Sequence, residues 1–330
     1  MIEGHGDDAY RYDGITSDFS SNICLPAHHH EALMAHLAAR PELIGHYPEP
    51  EAWSLEAMIA ERHDIDPRCV IVTNGATDAI YLIAQSFSML RPVILTPTFS
   101  EYADACSQMS GRKKIDKSFL WLCNPNNPTG EVYDQPYIDC KMAEYGLVVL
   151  DQSYEYYTHA HVWNPRWGAR TTYNIQIHSL TKTYAVPGLR IGYITAHRHM
   201  AEHIRRYVRP WSVSALAVEA GKFLLQHDEL VCSPDLAEAQ RLRQKLLEIG
   251  IEVRPTQTNF MLCCLPHHNA ADLKDFLARN HGMLIRDASN FQGLTPRHFR
   301  VAAQTPEENN ALVVAIRGFL EHSSPVHDNS

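Results

Sequence analysis

Lys182 lies in the run 177–193, IHSLTKTYAVPGLRIGY, with Ser179 and Thr181 beside it and Arg190 beyond a Pro187-Gly188 corner. A single lysine is more often a solvated loop residue, but here the neighbours narrow the chemistry. An amine at the end of an apolar strand suits attack on a carbonyl, and two hydroxyls with an arginine suit a phosphate. The combination points to an aldehyde cofactor that carries a phosphate, with Lys182 forming the Schiff base. Locally, the pattern predicts a strand that runs out at Leu180, a sharp turn holding Lys182, and a second strand opened by Arg190.

Other residues fit the same chemistry. Asp151 closes the apolar run LVVL, where a buried carboxylate can pair with a protonated ring nitrogen; helix capping is the competing explanation. Asn74-Gly75-Ala76-Thr77 follows the run CVIVT and opens a helical pattern. Free N–H groups in that first turn, with the Thr77 hydroxyl, make a phosphate site. Arg286 in MLIRD and Arg300 in HFRVA leave or interrupt apolar strands, where a cation must find a partner or face a cavity. The guanidinium fork suits bidentate binding of carboxylate or phosphate, although either arginine would also serve in a structural salt bridge.

These residues need a scaffold that brings them together. From Cys69 the chain alternates short apolar runs with helical patterns: CVIVT, PVILT, FLWLC, LVVLD and NIQIHSL each end in a polar motif. That alternation predicts a mostly parallel sheet covered by helices, an α/β architecture in which ligands collect at the carboxyl ends of the strands. Five distinctive motifs on one sheet edge read as one site. Beyond Ser233 a long polar helix, of a length to bridge two domains, stops at Gly250, and strands then alternate with helices as in a smaller α+β domain. The expected division is 1–44 as an N-terminal segment joining the small domain, 45–225 as the large domain and 226–330 as the small one.

Composition bounds the remaining possibilities. The chain has 330 residues, 45% hydrophobic and 20% charged, with a formal charge of −9 and a pI near 6.1. Without a basic run, this argues against a nucleic-acid surface. The opening lacks a signal pattern and no apolar run reaches the length of a membrane span, so a cytoplasmic protein is expected. Eight scattered cysteines give neither a zinc site nor a disulfide framework. His28-His29-His30 lacks acidic or cysteine partners at ligand spacing and reads as a surface cluster rather than a metal site.

The Lys182 run resembles the lysine signature of the aspartate aminotransferase superfamily, the fold type I enzymes that use pyridoxal 5'-phosphate (PLP), and CNPNNPTG at 123–130 is a second specific motif of that superfamily. The resemblance implies that Asp151 pairs with the PLP nitrogen, that Asn127 and Tyr154 bond its phenolic oxygen, and that Phe99 stacks on its ring. Gly75, Ala76, Thr77, Ser179, Thr181 and Arg190 are implied to hold its phosphate. Tyr47, in the Tyr47-Pro48 pair before a helix, is implied to reach a partner's cofactor across a homodimer.

Within the superfamily the chain is most similar to the threonine-phosphate decarboxylases of cobalamin biosynthesis, and next to the histidinol-phosphate aminotransferases. RPWSVSALA, LIRDASNFQGL and HFRVA favour the former. Tyr154 follows the aminotransferase pattern, and the stretch between Cys106 and Trp121 is shorter than in either group. The resemblance implies loss of CO2 from L-threonine O-3-phosphate, with Arg300 on the carboxylate, Arg286 near the phosphate, and Asn22 and His5 as substrate contacts. Amino transfer, or a regulatory homologue that binds PLP without catalysis, are the other readings.

Overall fold

The computed structural model describes residues 8–24, 29–109 and 115–322. The five apolar runs are strands of one six-stranded sheet, ordered Val70–Thr73, Gly192–Ala196, Asn174–His178, Val148–Asp151, Ser118–Cys123, Arg91–Ile94. The last four are mutually parallel, and Gly192–Ala196 is antiparallel to both of its neighbours. Several strands are buried along their whole length, Val70–Thr73 and Val148–Asp151 among them. That is why they read as unbroken apolar runs rather than alternating ones.

Alternate residues still face opposite layers. Phe119, Trp121, Val149 and Ile177 pack with Ala79, Ile83 and Tyr102, from the helices Gly75–Ser86 and Glu101–Ser107. Leu120, Leu122, Val148 and Leu150 pack with Ile138, from the helix Gln135–Tyr145, and with Trp163. The register places Cys123, Asp151 and Ile177 side by side, so the parallel strands end along a common edge.

The second sheet is antiparallel throughout, ordered Arg286–Asp287, His298–Ala302, Phe260–Cys264, Glu252–Val253. Its core includes Leu242 and Leu246 from the helix Leu236–Glu248, with Leu273, Leu277, Leu312 and Ile316. The helix expected to bridge two domains is therefore part of this core; its apolar stripe is satisfied by the second sheet, and at 13 residues it spans little more. Near the N-terminus, Ser17–Asp18 pairs in parallel with Met283–Leu284, whereas Leu33 packs among Leu55, Ile59 and Val218 under the large sheet. No helix among the described residues is long and apolar enough to cross a membrane.

Two local expectations need correction. The strand Asn174–His178 stops before Leu180, which begins a short helix, Leu180–Thr183, closed by bonds from the Lys182 and Thr183 amides to the Ser179 carbonyl. Arg190 does not open a strand; it has a left-handed backbone, φ 51°, and the strand begins at Gly192. A side chain at Gly192 would sit 2.8 Å from the His178 carbonyl and 2.9 Å from the Ala76 amide. Glycine there lets the start of one helix and the end of another strand converge.

Candidate active site

A cleft of about 430 Å³ opens at the common strand edge, between the two sheets. Ala76, Thr77, Phe99, Asn127, Asp151, Tyr154, Ser179, Thr181, Lys182, Arg190, Arg286 and Arg300 all line it. The walls thus bring together strand ends from one sheet and two arginines from the other.

Asp151 is 3% exposed. Its Oδ1 accepts the Ser153 amide at 2.9 Å and its Oδ2 accepts the Tyr102 hydroxyl at 2.7 Å. The capping alternative therefore holds for one oxygen, through the local turn, while the other is held by a tertiary contact. Burial pushes the carboxyl pKa up, opposed by the bonds from Ser153 and Tyr102. Tyr102 is itself fully buried, stacked on Trp121 with centroids 5.0 Å apart and meeting Phe99 edge to face at 5.8 Å. It links the residue expected to stack on the ring with the acid expected beneath it. The sequence reading missed Tyr102; its position three residues after Phe99, at the start of a helix pointing back to the sheet, was the available signal.

Lys182 is half-buried and donates from Nζ to the Ser21 carbonyl at 2.8 Å. Its amine lies 5.6 Å from the Tyr154 ring centroid. Burial raises the Tyr154 phenol to about 12, so at neutral pH it is a hydrogen-bond donor and not a phenolate. Asn22 does not line the cleft; it is buried behind it and donates from Nδ2 to the Tyr154 hydroxyl at 3.3 Å. Ser20 and Ser21, which the sequence reading passed over, line the cleft directly.

Gly75 also stands behind the wall. Its backbone has φ +83°, and a side chain there would lie 2.8 Å from Arg190 Nη2. Only glycine allows both that conformation and the approach of the guanidinium to the helix start. Arg190, Thr77, Ser179, Thr181 and the first amides of Gly75–Ser86 thus converge as a donor set suited to a phosphate.

Across the cleft, Arg286 and Arg300 are direct cross-strand partners, and each is 4% exposed. Arg300 donates from Nη1 to Asn127 Oδ1 at 2.5 Å and from Nη2 to the Ser20 carbonyl, while its Nε has no partner among the described residues. Arg286 bonds the Asp287 carbonyl and Asn290 Oδ1, and lies over the Phe291 ring. All of these partners are neutral. Burial and the nearby Arg300 push the Arg286 pKa down to about 10.

Tyr47 lies outside this chain's cleft, 86% exposed and beside Trp211. His5 lies outside the described residues. His30, read as part of a surface cluster, is partly buried and donates to the Ala185 carbonyl at 2.7 Å.

Residues 109–316 match the family described as aminotransferase class I and II. This chain belongs to that family. It is 29% identical to the threonine-phosphate decarboxylase of Salmonella typhimurium, over 93% of this chain and 92% of the relative. It is 27% identical to a histidinol-phosphate aminotransferase of Caldanaerobacter subterraneus, over 83% and 84% respectively. Among solved structures, the L-threonine-O-3-phosphate decarboxylase of Porphyromonas gingivalis superposes with a TM-score of 0.87 at 35% identity, covering 93% of this chain and all of that one. The histidinol-phosphate aminotransferase of Clostridium acetobutylicum, at 22% identity and a TM-score of 0.78, shares the fold. The fold type I, PLP-dependent architecture expected from the Lys182 and CNPNNPTG motifs is that of this family, and its members use PLP.

The residues present fit that cofactor. A buried acid held by Tyr102, an amine in the same cleft, an aromatic at Phe99 and a convergent phosphate donor set are the groups that PLP requires.

Proposed function

We infer that this protein is a PLP-dependent lyase that decarboxylates L-threonine O-3-phosphate to 1-aminopropan-2-ol O-phosphate. The observation that carries the reading is the arginine pair. Two like charges directly opposite on a ladder repel, and burying them with neutral hydrogen-bond partners, partly offset by the more distant Asp287, Asp8 and Asp18, is costly. A ligand with two anionic groups removes both penalties, and threonine phosphate offers a carboxylate and a phosphate on one small skeleton. Arg300 is assigned the carboxylate and Arg286 the phosphate. Histidinol phosphate has a phosphate but no carboxylate, so an amino-transfer reading needs a second, dicarboxylic substrate to use both cations.

Lys182 Nζ is assigned the covalent attachment of the cofactor and, once CO2 has left, delivery of a proton to the substrate α-carbon. Asp151 is assigned the ring nitrogen, Asn127 and Tyr154 the phenolic oxygen, Phe99 the ring face. Ala76, Thr77, Ser179, Thr181 and Arg190 are assigned the cofactor phosphate, with Gly75 admitting Arg190. Bound there, PLP supplies an electron sink for the bond broken at the α-carbon. Two fixed anion anchors set the rotation of the substrate about its Cα–N bond, and that rotation decides whether carboxylate or hydrogen is lost. Asn22 then acts through Tyr154 rather than by touching substrate.

The assigned organisation is 1–44 with the small domain, 45–225 as the large and 226–330 as the small domain, in a cytoplasmic homodimer. Tyr47, exposed on its own chain, is assigned to the partner's site. Mixing Tyr47→Ala and Lys182→Ala chains should then restore activity in heterodimers that neither variant has alone; no restoration overturns the shared site. The reaction is tested by incubating the holoenzyme with threonine phosphate and no keto acid. Release of CO2 is expected. Amino transfer from histidinol phosphate to 2-oxoglutarate, without gas release from threonine phosphate, overturns the reading.

A further inference from the structure

Cys24 and Cys232 come from distant parts of the chain and meet directly behind Lys182. The Cys232 thiol donates to the Cys24 carbonyl at 3.4 Å. Both backbones are tied to the lysine's own turn. The Cys232 amide donates to the Thr183 carbonyl at 2.7 Å. The Cys24 amide donates to the Tyr157 hydroxyl at 3.3 Å, which in turn donates to the Lys182 carbonyl at 3.0 Å. Cys232 belongs to an apolar cluster with Ile23, Tyr154, Tyr157 and Ala302, and Cys24 packs against it. The other thiols in buried positions, such as Cys69 and Cys263, have no such cross-chain sulfur partner among the described residues.

The two members of the pair differ in a way that assigns roles. Cys24 is half-buried and Cys232 is 1% exposed. The neighbouring Cys232 thiol favours the thiolate of Cys24, against burial, whereas burial keeps Cys232 protonated. An accessible thiol beside a protected second thiol is the arrangement in which oxidation ends in a disulfide rather than a higher acid.

We propose that Cys24 and Cys232 form an oxidisable dithiol that takes a peroxide as its oxidant and closes to a disulfide behind Lys182. The Cys24 thiolate attacks the peroxide O–O bond, giving a sulfenic acid and releasing water. Cys232 sulfur then attacks the Cys24 sulfur, expelling the oxygen as a second water with the remaining thiol proton. In sum, two thiols and one hydrogen peroxide give one disulfide and two waters.

The link falls at a functional place. Cys24 lies three residues after Ser21, whose carbonyl holds Lys182 Nζ, and four after Ser20, whose carbonyl holds Arg300. Fixing Cys24 to Cys232 immobilises that segment across the cleft, so ligands that must displace those carbonyls enter and leave more slowly.

The test uses reduced holoenzyme treated with stoichiometric hydrogen peroxide. Intact-mass measurement should show a loss of about 2 Da, with a cross-linked Cys24–Cys232 peptide that dithiothreitol removes and that is absent in Cys24→Ser. Oxygen-addition products on Cys24 with no cross-link, or a cross-link to Cys106 or Cys140 instead, overturn the proposal. Cofactor exchange, followed by absorbance with excess PLP, should slow about tenfold in the cross-linked protein and recover on reduction. A cross-linked protein that exchanges PLP at the reduced rate overturns the role assigned to the lock. The mass arm does not depend on the reaction assigned above; only the exchange arm rests on the PLP reading.

Discussion

Asp151 and the pair Arg286/Arg300 are buried to nearly the same degree, 3% and 4% exposed, yet their surroundings differ. Asp151 receives one donor from its own turn and one from Tyr102, so its charge is opposed by oriented dipoles before anything binds. The arginines' hydrogen-bond acceptors among the described residues are neutral, and each faces the other across a ladder rung. One side of the cleft carries its charge in a hydrogen-bonded network, while the other holds two adjacent cations that Asp287, Asp8 and Asp18 offset only in part. The lesson is electrostatic. On the proposed reading, the large-sheet edge serves a group that stays, and the small-sheet edge serves anions that come and go.

Four variants test this contrast. Lys182→Ala should lower threonine-phosphate decarboxylation on the order of 10⁴-fold, and borohydride should no longer attach the yellow cofactor to the chain. Covalent labelling that persists elsewhere would remove Lys182 from its role. Arg286→Met should lower kcat/KM for threonine phosphate by about 100-fold, the scale of losing a partner from a buried charge pair. Calorimetry of the ligand-free variant should at the same time show a gain on the order of 1 kcal/mol, because a repelling buried cation is replaced by an apolar chain of similar length. If that variant is instead destabilised, the arginines are structural and the contrast fails.

Tyr102→Phe keeps the ring on Trp121 and removes only the hydroxyl bond to Asp151. PLP affinity, measured by absorbance titration, should fall about tenfold, in keeping with a hydrogen bond to a charged acceptor. Unchanged affinity would mean that the Ser153 amide alone suffices.

The smallest effect concerns pH. The folded Asp151 pKa is raised above its ordinary 3.8, so between those values the folded protein binds more protons than the unfolded chain. Stability from this group is therefore full below 3.8 and is lost as pH rises through the folded value. Asp151→Asn removes that dependence. The stability of the wild type relative to the variant should decline over this interval in denaturant titrations of ligand-free protein, and a rising difference would reverse the assigned cause.

Much of this was legible from local patterns. Unbroken apolar runs such as LVVLD and FLWLC can be buried on both faces only in a covered parallel sheet, and the polar residues ending each run therefore had to share an edge. The motif around Lys182 and the turn CNPNNPTG constrained the chemistry because few functions need those residues at those spacings. Other features depended on contacts between distant segments. Leu180 and Arg190 read as strand ends, but their backbones follow the short lysine helix and the left-handed turn that let Arg190 reach Gly75. The helix Leu236–Glu248 read as a bridge because of its length; its narrow apolar stripe is buried by a sheet that follows it in the chain.

By itself, then, the sequence determined the layered α/β architecture, the acid at a strand end and the lysine just beyond one, and the existence of two arginines that break apolar strands. Those properties follow from residue periodicity and local chain geometry. Only the tertiary structure decided that the two arginines are rung partners, that Tyr102 bonds Asp151, that Asn22 bonds Tyr154, and that Cys24 meets Cys232. The reason is physical: strand register and the packing of one sheet against another are set by total burial across the whole chain, and no short window of residues contains that sum.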